Sequence, residues 1–310
     1  MKGLIGMGLL TALVAAGSGG PAAAGPIEDA QAAFDRGDDK AALRLLQPLA
    51  EQGVALAQLD LGLLYRSGRA VARDDATALK WLQKAAEQNL AKAEFMLGVV
   101  NEFGDGVAPN YDECLKWYRK AAEQGEAVAQ NNIGGLYEHG LGVPQDYALA
   151  LQWYQKAAAQ GFATAELNIG ALYESGRGVD PNPAEAFQWY RKAADQGDGR
   201  GRFNVGLMYF GGSGIAQDYK QAVNWYQLSA DQGIAAAEWN LGLMYWKGTG
   251  VRQNDVQAYK WISLAAANYP ASAEDDRQQA LGARDSLAKA MSPALLAKAE
   301  ALTRGWKRKP

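Results

Sequence analysis

Six tryptophans stand at one interval: Trp81, Trp117, Trp153, Trp189, Trp225 and Trp261 follow each other every 36 residues. A fixed period of that size marks an architecture in which one supersecondary unit is stacked many times. It overrides the expectation that 310 residues hold two or three ordinary domains. It also directs the search for function away from a single pocket and toward an extended surface.

Each unit reads as two helices, most clearly from Ala127 to Gly161. In the first, Ala129, Ile133, Leu136 and Tyr137 keep the i, i+4, i+7, i+8 spacing of a buried stripe. Gly134 lies within that stripe, and Gly62, Gly98, Gly170, Gly206 and Gly242 repeat it. A glycine inside a helix costs about 1 kcal/mol against alanine. Its return in each unit implies two backbones too close for a Cβ. Gly140 and its equivalents Gly68, Gly104, Gly176, Gly212 and Gly248 suit a left-handed helix end. The second helix opens on Asp74, Asn110, Asp146, Asn182, Asp218 or Asn254, all N-cap residues. Its buried face is expected to carry Ala150, Trp153, Tyr154, Ala157 and Ala158. No single unit can bury both of its faces, so stability depends on neighbours.

The ends differ from the middle, as capping units should. Leu45 takes the tryptophan position at one end, and Ile27–Arg36 reads as a short first helix. At the other end, residues 272–290 read as helical, and Ser292-Pro293 opens a last helix to Leu302. Before all of these, Lys2, an apolar run from Leu4 to Ala16 and Ala22-Ala23-Ala24 have the order of a cleavable secretory signal. An uncleaved anchor is the alternative, although the run is short of the ~20 residues that span a bilayer. The expected division is a signal over 1–24, N-terminal capping helices over 25–53, six repeats over 54–268, and C-terminal capping helices with a basic tail over 269–310. Processing leaves no integral membrane span and places the chain in the periplasm or outside the cell.

The chain carries a formal charge of −3, which makes no electrostatic case for nucleic acid. It has one histidine, His139, and one cysteine, Cys114. That scarcity argues against a His- or Cys-rich metal site and excludes an internal disulfide; no cofactor is expected.

The pattern A-x-A…[IVL]-G-x-[LM]-Y…G-x-G-V…W-Y-x-K-A-A-x-Q-G resembles the Sel-one-like repeat (SLR) family, relatives of the tetratricopeptide repeat. The match covers about Ala41 to Ala301. The resemblance implies an all-α, right-handed α/α solenoid of six helix-pair repeats whose first helices line a concave face. It further implies a bacterial periplasmic adaptor. Asn101 stands where the tyrosine belongs, and Gly199 and Gly201 replace alanines. Local loosening is expected at both places.

Reactive residues are few and scattered. His139 occupies a helix end that holds Ser67, Phe103, Ser175, Gly211 and Lys247 elsewhere, so the fold does not call for it. Cys114 replaces Ala78, Ala150, Ala186, Ala222 and Ala258, which suits a small buried hydrophobe. Ser286-Leu287-Ala288-Lys289 matches S-x-x-K without the S-D-N or K-T-G that would accompany it in a penicillin-binding enzyme. The β-lactam-hydrolysing SLR branch carries cysteine pairs, which this chain lacks.

Binding has better candidates. Three residues before the recurrent glycine stand Leu59, Phe95, Asn131, Leu167, Phe203 and Trp239. Four residues after it stand Arg66, Glu102, Glu138, Glu174, Phe210 and Trp246. These positions vary while the core hardly changes, so packing does not dictate them. From Phe95 to Trp246 they define the expected partner groove, with an acidic strip at Glu102, Glu138 and Glu174 and an aromatic cluster at Phe203, Phe210, Trp239 and Trp246. The aromatics have an alternative role in packing on the next repeat or the terminal helices, and the glutamates one as a solvated face. Asn132, Asn168, Asn204 and Asn240 form an amide ladder that either clamps a peptide backbone or bridges repeats. The basic tail, Lys307-Arg308-Lys309, suits the dipole of the last helix. The expected function is a non-catalytic scaffold that holds a protein or peptide of the cell envelope on the concave face. The alternatives are a peptidoglycan or polysaccharide binder and, behind it, a β-lactam hydrolase.

Overall fold

The computed structural model describes residues 25–309, so the signal expected over 1–24 lies outside the described residues. Those residues form sixteen helices and no strand. One compact unit ends at Glu94 and a second begins at Phe95, where the period implies a single array.

The first unit contains α1 (Pro26–Asp35), α2 (Asp39–Glu51), α3 (Ala55–Ser67) and α4 (Asp75–Glu87), each packed on the next. The division falls within α5 (Ala91–Phe103). The second unit continues with α6 (Tyr111–Glu123), α7 (Ala127–His139), α8 (Tyr147–Ala158), α9 (Ala163–Ser175) and α10 (Pro183–Asp195). It ends with α11 (Gly199–Gly211), α12 (Tyr219–Ala230), α13 (Ala235–Lys247), α14 (Asp255–Asn268), α15 (Glu274–Ala290) and α16 (Pro293–Gly305). From α6 to α15 each helix packs on its successor, and α16 also packs on α14. The fold class is therefore a helix-pair repeat solenoid.

The local signals act as their chemistry requires. Asp74, Asn110, Asp146, Asn182, Asp218 and Asn254 all accept backbone N–H groups at the start of a second helix. The N–H of each cap residue in turn donates to a carbonyl of the preceding helix, as Asp146 does to Tyr137 at 2.9 Å. One short loop thereby fixes the angle between the two helices of a pair. Gly140 is left-handed at φ 66°, and the other five helix-ending glycines lie between 68° and 76°.

Three expectations need correcting. The six tryptophans are not equally buried: only Trp261 is fully enclosed, and the other five are half-buried. The fully buried ring of the dipeptide is its tyrosine, Tyr118, Tyr154, Tyr190 or Tyr226. The tryptophans instead lie beneath cations, with the Lys192 ammonium 3.6 Å from the centre of the Trp189 ring and Lys156 3.8 Å from Trp153. Second, the recurrent glycine faces neighbouring backbone only at Gly62 and Gly242, beside Leu82 and Ile262, and elsewhere faces a ring. A Cβ on Gly134, Gly170 or Gly206 would meet the ring of Tyr154, Tyr190 or Tyr226 at 2.5–2.6 Å. Third, Gly201 marks a tight contact, because a Cβ there would come within 2.7 Å of the Ala194 nitrogen. Asn101 donates to the Leu97 carbonyl at 2.8 Å, and α5 continues past it.

Candidate protein-interaction surface

In the second unit, three of the tyrosines seated on a recurrent glycine also send their hydroxyls to the first helix. Tyr118 donates to Glu102 at 2.6 Å, Tyr154 to Glu138 at 2.7 Å and Tyr190 to Glu174 at 2.7 Å. The expected acidic strip is therefore neither simply solvated nor fully available to a partner. One oxygen of each carboxylate is held by a phenol. Glu138 is also paired with Arg177 at 3.4 Å, and burial raises the Glu102 carboxyl against the pull of Tyr118. Glu174 is exposed, and no cation pairs with it among the described residues.

The amide ladder bridges repeats where its contacts are resolved. Asn132 donates to the Tyr118 hydroxyl at 3.1 Å, and Asn168 donates to Asn131 at 3.0 Å. Asn131 also donates to Asn132 at 3.4 Å, so its amide is engaged on both sides.

The other groove residues fall into three groups. Phe95 and Leu167 are core residues, at 2 % and 7 % exposure, and offer a partner almost nothing. Phe95 stacks on Tyr118 with ring centres 5.5 Å apart. Phe203, Trp239 and Trp246 are half-buried. Phe203 packs on Tyr226, while both tryptophans pack against a core that includes Ile262, Leu287 and Ala299. Packing on the terminal helices thus accounts for them. Only Phe210 projects, at 41 % exposure, with its ring 5.3 Å from that of Tyr219. Beside it on α11 is Leu207, 40 % exposed, where the preceding repeat has Ala171 and the following one Leu243, half-buried. Leu207 lies outside the groove expected from the sequence, and the period does not mark it, because Leu63, Val99 and Leu243 hold the same position without being exposed.

A second feature escapes the sequence reading as well. Gln58, Glu94, Gln130, Glu166 and Glu238 are buried at 36-residue intervals, interrupted by Arg202. Gln160 donates to Gln130 at 2.9 Å, Gln196 to Glu166 at 2.7 Å and Asn268 to Glu238 at 2.9 Å. Gln130 in turn donates to the Ala122 carbonyl in the preceding repeat at 3.2 Å, as Gln58 does to Ala50 at 3.1 Å. Burial pushes the Glu238 carboxyl up to about 7, even with Asn268, Arg308 and Lys260 acting to lower it.

The chemical candidates do not converge. His139 is exposed at the end of α7. Cys114 is buried, and burial together with the Glu102 charge pushes its thiol up, away from the reactive thiolate. Ser286 donates to the Gly282 carbonyl at 2.8 Å within α15. No group of three or more metal-binding side chains gathers among the described residues, and no described helix is long and apolar enough to cross a membrane. The basic tail does not simply follow the dipole of α16. Lys309 pairs with Asp231 at 2.8 Å and donates its N–H to the Asp231 carbonyl at 2.7 Å, and Trp306 meets Trp261 edge-on at 6.3 Å.

A recurring core beneath more variable first-helix positions defines a helical-repeat protein. The Sel1 repeat matches residues 35–54, 55–90, 91–126, 127–162, 163–198, 200–234 and 235–269, and the chain belongs to that family. The first of these, a partial repeat, falls where an N-terminal cap was expected. Sel1-repeat proteins are generally protein-interaction scaffolds. A solved structure of c5321, a protective antigen of uropathogenic Escherichia coli strains with an SLR fold, is 32 % identical with a TM-score of 0.77. The alignment covers 91 % of this chain but 60 % of that one, so the chain spans about three-fifths of that relative's length. A Sel1 repeat protein from Oxalobacter formigenes is 36 % identical with a TM-score of 0.69, over 78 % of this chain and 97 % of that one. No curated protein matches the chain.

Proposed function

We propose that the chain is a non-catalytic scaffold of the bacterial cell envelope that holds a segment of another protein along its first helices. The observation that carries this reading is the apolar exposure on α11, where Leu207 and Phe210 project while Phe95, Leu167, Phe203, Trp239 and Trp246 are packed. Family membership supports it, and the reactive candidates do not oppose it: Cys114 is buried, and Ser286 bonds within its own helix. The envelope location rests on the signal pattern over residues 1–24, and similarity to a protein described as a protective antigen is consistent with it.

The test begins with chemical cross-linking of the chain in an envelope fraction. The captured protein is then purified and titrated calorimetrically against the purified chain. Saturable binding by that protein supports the scaffold. Saturable binding by cell-wall glycan alone, or turnover of nitrocefin lost in Ser286→Ala, overturns it. Mass spectrometry of the exported chain tests the location, and a mature N-terminus near Gly25 is the expected result.

A further inference from the structure

Tyr118, Tyr154, Tyr190 and Tyr226 are equivalent and buried. The first three donate to a glutamate sixteen residues earlier. For Tyr226 that position is Phe210, and its hydroxyl is buried without a hydrogen-bond partner. Asn240, which corresponds to the Asn132 that donates to Tyr118, acts on this hydroxyl from the donor side, but no acceptor takes the hydroxyl's own proton. Two costs therefore coincide at one site: an unmade buried hydrogen bond and an aromatic ring left 41 % exposed. A glutamate at 210 would remove both. A chain that keeps a locally unfavourable residue against the example of its own repeats does so where function requires it.

We infer that Phe210 and Leu207 form the anchor shelf for an extended segment of a partner protein, and that Glu174 receives a basic side chain of that segment. This rests on the scaffold reading above and identifies the partner's chemistry. Charge complementarity selects the occupant. Glu174 holds the position of Phe210 one repeat earlier, is exposed, and uses Oε2 for Tyr190. Glu138, by contrast, is already neutralised by Arg177. The helices bearing the two sites, α9 and α11, touch each other. Helices in contact lie about 8–10 Å apart, and an extended chain advances about 3.3 Å per residue. The partner therefore places a lysine or arginine about three residues from a leucine, isoleucine or aromatic residue.

The test is selection of random dodecapeptides displayed on phage against the full chain, followed by titration of a synthetic peptide with the selected sequence. A basic residue three positions from a large apolar one is the expected consensus. Phe210→Glu should weaken that peptide by about tenfold or more while leaving the melting temperature level or raising it, because Tyr226 gains an acceptor. Leu207→Gln should weaken it as well, and Glu174→Gln should abolish the preference for the basic residue. The proposal is overturned by a selection without consensus, by a consensus lacking the basic residue, by undiminished binding to Phe210→Glu, or by a lower melting temperature in that variant. If the captured partner protein binds Phe210→Glu and the parent chain equally, the scaffold stands and this anchor falls.

Discussion

A Cβ on Gly134 would lie 2.6 Å from the ring of Tyr154. The first helix thus keeps a glycine in its interior so that the ring of the second can lie against its backbone. Gly134→Ala gains about 1 kcal/mol of helix propensity but forces that ring aside, an overpacking cost of about 1–3 kcal/mol. The expected result is a net loss of stability in urea denaturation. Gly282, in α15, has nothing within 4 Å of its missing Cβ, so Gly282→Ala should be stabilising by about 1 kcal/mol. Equal effects of the two substitutions would contradict this account.

The tyrosine hydroxyls predict a contrast between two identical substitutions. Tyr154→Phe removes a 2.7 Å bond to Glu138 and should cost about 1–2 kcal/mol. Tyr226→Phe removes a hydroxyl that has no partner and should be neutral or stabilising. Melting curves of the two variants, measured side by side, provide the comparison. A larger loss at Tyr226 than at Tyr154 would show that the buried hydroxyl is satisfied after all.

The contrast also shows how far the sequence could be read. Period, caps and helix-ending glycines act locally, within a few residues of themselves. Asp146 caps α8 and Gly140 ends α7, as their residue types require. Which ring of the Trp-Tyr dipeptide goes inside is not local. It depends on where the neighbouring helix leaves room, and Gly134 makes room for Tyr154 rather than Trp153. Which residues of the expected groove are exposed is not local either. Phe210 varies and is exposed, whereas Phe95 varies and is buried because it fills the space over Tyr118. The ladder from Gln58 to Glu238 is in plain phase with the glycines. A polar residue on a helix looks solvated until its partner 30 residues later is seen.

The C-terminal residues should contribute to stability and not act as a loose tail. Trp306 is half-buried against the cluster around Trp261, and Lys309 pairs with Asp231. Trp306→Ala should cost about 2 kcal/mol, below the ~3–5 kcal/mol of a fully buried aromatic. Lys309→Ala should cost under about 1 kcal/mol, because the ammonium is mostly exposed. Deleting residues 306–310 should expose Trp261 and shift its fluorescence to longer wavelength. An unchanged spectrum and melting temperature after the deletion would mean the segment does not hold its place.

Stability should also fall as pH rises, because of Glu238. This carboxyl is fully buried, and its pKa is raised from 4.5 to about 7. Between those values the folded chain keeps a proton that the unfolded chain has released. The contribution is complete below about pH 4.5 and is lost as pH climbs through about 7. A shift of that size corresponds to a difference on the order of 3 kcal/mol. Asp60, raised by burial to about 6 against the pull of Lys92, adds a smaller effect of the same sign. Glu238→Gln should remove most of this dependence. Gln58 and Gln130 show how the amide would fit: each donates to the carbonyl eight residues earlier, which for position 238 is that of Ala230. Urea midpoints at pH 5 and pH 8 should therefore differ in the parent chain and converge in Glu238→Gln, with the variant the more stable at pH 8. If both chains show the same pH dependence, the titrating group lies elsewhere.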